Sequence, residues 1–258
     1  MRLIDTHCHL DAAEFDADRD AVVARAEAAG GRAQVVPAIA LSNFQAIRTL
    51  CAAHAGLYAA YGLHPMFVAE HRPEHLDALR DWIEREHPVA VGECGLDFFV
   101  EGLDAQAQRF HFVRQLELAR EFGLPVIVHA RRAVDEVIAT IRRVGGLRGV
   151  VHSWSGSEEQ ARQLWKLGFL LGLGGPVTHE RARRLRRLAA SMPLEFLLLE
   201  TDAPDQPLAD HRGERNEPAR LRDVLDTIAA LRGESADAIA RATTANAERL
   251  FGLPSSTA

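Results

Sequence analysis

The run "PVIVHA" (125–130) sets three β-branched apolar residues between a proline and a histidine. Longer stretches with helical spacing flank it, 104–122 before and 132–144 after. A short apolar run between two helices reads as a strand buried on both faces, the repeating piece of a parallel βαβ unit. Phe110, Val113, Leu116 and Leu118 to Phe122 carry the helical periodicity on one side. Gly123, just before Pro125, supplies the stop signal.

The same pattern repeats outward in both directions. Apolar runs fall at "RLIDTHCHL" (2–10), "QVVPAIA" (34–40), "LYAAYGLHP" (57–65) and "VAVGECGLD" (89–97). They continue at "GVVHSWS" (149–155), "FLLGLGG" (169–175) and "FLLLETD" (196–202). Helical patterns lie between them at 16–29, 43–54, 74–86, 157–167 and 179–191, and two more close the chain at 217–232 and 235–250. Eight such units in 258 residues predict an α/β chain folded as a single-domain (β/α)8 TIM barrel. The domain is expected to span 1–253, with a frayed tail at 254–258. An open doubly wound sheet is the competing arrangement.

Composition narrows the function classes. The formal net charge is −6, so no global basic field draws in nucleic acid, and any such contact must come from local arginines or metal. Lys166 is the single lysine. Three cysteines, Cys8, Cys51 and Cys94, without C-x-x-C spacing, argue against a disulfide framework or a thiolate zinc site. The opening MRLID does not read as a signal peptide, and no apolar run reaches the roughly 18 residues of a membrane span. The expectation is a cytoplasmic, monomeric protein with no membrane association.

In such barrels the reacting groups stand at the C-terminal ends of strands. The candidate strands here stop on polar residues of the types that carry such chemistry. These are His7 and His9, His64, Glu93 with Asp97 beyond it, His129, His152 and Asp202. His7 and His9, two apart on a strand, are expected to share one face, with Asp5 as a structural hydrogen-bonding partner and Cys8 turned to packing. Four histidines, a glutamate and an aspartate form a mixed nitrogen and oxygen set suited to divalent zinc or manganese, less to magnesium. Six ligands exceed one tetrahedral ion, so His7, His9, Glu93, His129, His152 and Asp202 are expected to hold two divalent metal ions (Zn, Mg or Mn). Lys166 lies in a helix and cannot serve as a carboxylated bridge, which leaves Glu93 for that role.

Candidate substrate contacts are His64, Arg131, Arg132, Arg212 and Arg215, the arginines as phosphate clamps. Trp154 and Phe98 are candidate stacking residues. The run "RARRLRR" (181–187) falls on an outer helix, where a solvated face is the simpler reading.

With these residues in place, the sequence resembles the TatD family of metal-dependent deoxyribonucleases over nearly its whole length. The matching blocks are "DTHCHLD" (5–11), "GLHP" (62–65), "VGECGLDF" (91–98), "PVIVHAR" (125–131) and "VHSWSGS" (151–157). They continue with "GLGGPVT" (172–178), "LLLETDAPD" (197–205) and "TTANAERLFGL" (243–253). The resemblance implies a (β/α)8 fold and phosphodiester hydrolysis of DNA at a metal pair. It places His7, His9, Glu93 and Asp202 on one ion and Glu93, His129 and His152 on the other. The chain departs from the family in "ARR" after His129 and in Phe98, where tyrosine is common. Both changes bear on substrate contacts. The expected activity is exonuclease-like cleavage of DNA or RNA ends, with Glu93 and Asp202 as catalytic residues. Hydrolysis of a small amide, lactone or phosphoester in the same barrel is the alternative, and a non-catalytic metal-binding scaffold is a third reading.

Overall fold

Val126, Ile127 and Val128 are buried, and their strand has parallel neighbours on both sides. The computed structural model describes Met1–Ser255; residues 256–258 of the expected tail lie outside the described residues. Eight strands run β1 (Leu3–Asp5), β2 (Gly31–Pro37), β3 (Leu57–Tyr61), β4 (Ala90–Asp97), β5 (Val126–Arg131), β6 (Gly149–Val151), β7 (Phe169–Leu173) and β8 (Leu197–Leu199). They pair in sequence order, and every ladder is parallel. The seam between β8 and β1 is joined by the Thr6 amide donating to the Leu199 carbonyl at 3.0 Å. The open doubly wound arrangement is therefore excluded, and the molecule is a (β/α)8 barrel.

Helices α1 (Arg19–Ala28), α2 (Phe44–Ala53), α3 (Glu74–Glu86), α4 (Ala105–Phe122), α5 (Val134–Val144), α6 (Glu158–Lys166), α7 (Arg183–Ser191) and α8 (Leu221–Arg232) form the outer ring. A ninth, α9 (Ala236–Phe251), follows α8. Alternation along β5 separates two apolar layers. Val126 and Val128 pack with helix residues such as Val137 and Ile138. Ile127 joins Ile4, Val35, Ala60, Val150, Leu170 and Leu198, with Leu250 and Phe251 of α9 against them. His129 is two residues past Ile127, so its side chain enters the barrel.

Helix α4 shows how a surrounding helix sets the site. Asp104 caps its first turn by accepting from the Gln106 and Ala107 amides, and Gly123 ends it in the left-handed conformation at φ 66°. Its inner face carries Gln108 and Gln115, both buried. Gln108 accepts from the Asp97 amide at 2.8 Å and donates to the Asp97 carbonyl at 3.0 Å. Gln115 does the same for Leu63, at 2.7 and 3.1 Å. One helix thus satisfies the backbone at the ends of β4 and β3, where the ladder stops and Asp97 and His64 begin.

Several strands are shorter than the sequence predicts, and the expected placement of His7 and His9 on a strand is corrected. Strand β1 ends at Asp5. The Asp5 carboxylate accepts from the His7 amide (3.2 Å), the Thr201 amide (3.0 Å) and the Thr201 hydroxyl (2.6 Å). These bonds replace the ladder and let the chain bend, so both imidazoles reach the mouth from a loop. His64, His152 and Asp202 likewise stand past their strands, whereas Glu93 and His129 lie within β4 and β5.

Candidate metal centre

Glu93 is the centre of the site. Its carboxylate is buried, and its two oxygens face different groups. Oε2 lies 3.1 Å from His7 Nε2 and 3.5 Å from His9 Nε2. Oε1 lies 2.7 Å from His152 Nε2, 2.8 Å from His64 Nε2 and 3.0 Å from His129 Nδ1. Gly95 makes the close approach of β4 to β5 feasible. A Cβ there would come within 2.0 Å of the His129 carbonyl oxygen, and the residue sits at φ +144°.

The first group gathers His7, His9 and Asp202, with Glu93 Oε2 beside the two histidines. His7 and His9 Nε2 are 3.1 Å apart, and Asp202 Oδ1 lies 3.5 Å from the first and 3.6 Å from the second. With the two Glu93 distances, these five separations run from 3.1 to 3.6 Å. A four-coordinate ion with ligands at about 2.0–2.1 Å has edges of about 3.3–3.4 Å. His7, His9 and Asp202 therefore stand close enough to share one ion, with Glu93 Oε2 within reach of both histidines. The second group is a triangle of Glu93 Oε1, His129 Nδ1 and His152 Nε2, with the two histidine nitrogens 3.3 Å apart.

Hydrogen bonds assign the tautomers of His129 and His64. His129 Nε2 donates to Asp97 Oδ2 at 2.9 Å, which leaves the Nδ1 lone pair facing Glu93. His64 is the reverse. Its Nδ1 accepts from the Met66 amide at 3.1 Å, so the proton of the neutral ring is on Nε2. Nε2–H is a donor aimed at Glu93 Oε1, and His64 stands beside the triangle without a lone pair to give it.

The electrostatics match. Burial alone would raise the Glu93 carboxyl, but the charges of His152, His64 and His7 and the His129 hydrogen bond hold it well below the usual range. Burial opposes charge on His9 and His152 as well, yet Glu93 beside them lifts His9 to about 9 and His152 to about 10. His64 is pushed down to about 4, burial outweighing Glu93, so its ring is neutral at physiological pH. Burial raises Asp202, against the pull of His152 and His9.

The cavity above these groups has a volume of about 820 Å³. Its walls include Ile39, Met66, Phe67, Arg131, Ser153 and Gln206. Gln206 Nε2 donates to Asp202 Oδ2 at 2.5 Å and fixes that carboxylate.

The structure thus brings together His7, His9, Glu93, His129, His152 and Asp202, with His64 and Arg131 at the same cavity. It does not bring Arg212 or Arg215 there, which revises their expected place as phosphate clamps. Arg215 is bound to Asp18 at 2.7 Å and to the Glu14 carbonyl, with its guanidinium over Phe15. Arg212 faces His179 at 3.3 Å and lines a separate groove with Arg181 and Asp210. Trp154 is buried, and Phe98 lies under Arg109; the exposed ring nearby is Phe99. Sequence reasoning left Asp97 and Gln206 without a role. For Asp97 the signal was present, an acid four residues after Glu93 at the end of the same apolar run. Gln206 offers no pattern of its own.

Residues 4–252 match the profile of the family described as TatD related DNase. An uncharacterized metal-dependent hydrolase of Escherichia coli K12, YjjV, is 41% identical over 256 residues, covering 98% of this chain and 99% of that protein. Its 1.8 Å crystal structure superposes with a TM-score of 0.93 at 40% identity, over 98% of this chain and 99% of that one. The 3'-5' ssDNA/RNA exonuclease TatD of Klebsiella pneumoniae is 34% identical over 260 residues, covering 97% of this chain and 98% of that protein.

Proposed function

The chain belongs to the TatD family of metal-dependent hydrolases, and from that premise we propose that it cleaves phosphodiester bonds at the ends of single-stranded DNA or RNA. The observation that carries this reading is the Glu93 carboxylate, whose two oxygens serve two separate donor groups at the floor of one cavity. His7, His9, Asp202 and Glu93 Oε2 would hold one divalent ion, and Glu93 Oε1, His129 and His152 the second. Bound there, such ions supply a water acidified toward neutrality and neutralise a non-bridging phosphate oxygen.

The chain's own groups complete the chemistry. Asp202 orients the attacking water and accepts its proton. Its free rotation is removed by Gln206. The neutral His64 ring donates its Nε2–H to Glu93 Oε1 and so orients the carboxylate that the two donor groups share. Arg131 lines the cavity and clamps the phosphate. A cavity of about 820 Å³ has the size of a small-ligand pocket, which favours a strand end over a continuous duplex. The Klebsiella relative named as a 3'-5' ssDNA/RNA exonuclease supports the same substrate class.

The test is a substrate panel with Zn, Mn or Mg added to the purified protein: end-labelled single strands, the matching duplex, lactones and dipeptides. The expected result is shortening of single strands from one end, faster than of the duplex. Turnover of a lactone or dipeptide with no cleavage of nucleic acid under any metal would overturn the reading.

A further inference from the structure

One exposed aromatic ring at the lip of the cavity lies beneath two guanidinium groups. Phe99 is 42% exposed, which sets it apart in a chain whose large apolar side chains are mostly buried. The Arg131 guanidinium carbon is 3.7 Å from the ring centroid and that of Arg132 is 4.6 Å away. Arg109 and Arg215 pair with Glu136 and Asp18, but Arg131 and Arg132 make no ion pair among the described residues. Arg132 is held at φ 53°, a left-handed conformation that non-glycine residues adopt rarely and often at functional sites.

The platform is tied to the metal centre by one carboxylate. Asp97 Oδ1 accepts from the Phe99 amide at 2.9 Å and the Val100 amide at 3.1 Å, while Oδ2 holds His129. Asp97 pairs with Arg131 across β4 and β5, and the Phe98 amide donates to the Arg131 carbonyl at 2.9 Å. The backbone that carries Phe99 and Arg131 is thereby fixed relative to Glu93. Arg131 lines the cavity, whereas Phe99 and Arg132 are not among its walls.

An exposed aromatic face beside two unpaired planar cations complements a nucleotide. The base stacks on the ring or on a guanidinium plane, and the phosphate takes the guanidinium fork. We infer that Phe99, Arg131 and Arg132 form a subsite for the nucleotide next to the scissile phosphate. The inference rests on the nuclease reading above and adds which part of the strand is gripped outside the cavity. A small lactone, amide or phosphoester has no group to fill this subsite.

The test compares wild type with Phe99→Ala, Phe99→Trp and Arg132→Gln, each with metal bound. Two single strands are used, one normal and one abasic at the nucleotide adjoining the cleaved bond. Phe99→Ala is expected to lower kcat/KM on the normal strand roughly 5- to 150-fold, the range of one base–aromatic stack. The abasic site should cost wild type a similar factor and cost Phe99→Ala almost nothing further, and Phe99→Trp should restore the loss. Arg132→Gln should weaken both strands alike, through the phosphate. Binding of a cleavage-resistant phosphorothioate strand, followed by fluorescence anisotropy, should show the same ranking. An equal loss on normal and abasic strands, or no loss on either, overturns the subsite while leaving the nuclease reading intact. If no strand is cleaved, the nuclease reading fails, and unchanged phosphorothioate affinity in Phe99→Ala would overturn the subsite separately.

Discussion

Asp97→Asn isolates the tautomer argument at the second metal group. The native carboxylate accepts three hydrogen bonds, from His129 Nε2 and from the amides of Phe99 and Val100. Asparagine has one acceptor oxygen, so it cannot serve both sides. If its oxygen turns to the amides, its NH2 meets the His129 Nε2–H, and the ring must move its proton to Nδ1, the atom facing Glu93. If the oxygen turns to His129, two buried-side amides lose their acceptor, and the bond to His129 loses its charge. A hydrogen bond to a charged group contributes about 1.5–3 kcal/mol, so affinity at the second group should fall roughly 10- to 150-fold. That range overlaps the roughly 10–100-fold typical of losing a partner behind a ligating histidine. The assay is metal titration of chelator-stripped protein against a chromophoric competitor. The His7–His9 group, which meets Asp97 only through Glu93 and His129, should weaken less than the second group. Equal weakening of both groups, or of neither, would refute the assignment of His129 Nδ1 as the ligand atom.

Three further outcomes follow from particular atoms. His64→Ala should leave metal stoichiometry unchanged and lower kcat about 10- to 100-fold, since it removes the donor to Glu93 and no ligand; loss of a bound ion in that variant, read by elemental analysis, would contradict the donor role. Gly95→Ala sets a Cβ 2.0 Å from the His129 carbonyl oxygen, so it should separate β4 from β5 and lower the melting temperature by several degrees or block folding; a normal melt would show that the strands can part cheaply. The buried His111, whose ring lies 5.5 Å from that of His71, is pushed down to about 4 by burial and by the charges of His71 and His75. Its folded pKa is below the unfolded value near 6.5, so the unfolded chain binds the extra proton. Stability is then fully present above about pH 6.5 and declines toward about pH 4, by about 3 kcal/mol at most from this group. Urea melts across that window should show the slope, and His111→Leu should flatten it.

The sequence made the barrel legible because each strand carries its own punctuation. The run from Val126 to Val128 ends on His129, and the run from Gly149 to Val151 ends on His152, so apolar length and polar stop mark strand and site together. Residue type alone could name the candidate ligand set, since a lone imidazole or carboxylate at a barrel mouth has few other uses. Backbone detail was less accessible. The bend at Thr6 depends on Asp5 reaching Thr201, nearly two hundred residues away in the chain, and no local pattern encodes it. Arg212 and Arg215 follow β8 in sequence, but Asp18 draws Arg215 to the rim of α1, and such a pairing depends on tertiary proximity.

What sequence could not supply is the direction of each proton, and the chemistry depends on it. His64 and His129 look equivalent in the chain, each a histidine at a strand end. Their nitrogens lie within 3.3 Å of each other and of the same Glu93 oxygen. Yet the Met66 amide donates to one ring and the Asp97 carboxylate accepts from the other. The first becomes a donor and the second keeps a lone pair, by a backbone N–H on one side and an oxygen on the other. Two adjacent imidazoles with opposite polarity let one offer a lone pair beside Glu93 while its neighbour donates to the same carboxylate. Exchanging these partners, with Asp97 removed and the His64 ring free to flip, should convert the site's donor into a competitor for metal. A variant that keeps full activity without Asp97 would show that ring orientation, rather than proton placement, is what the surrounding shell controls.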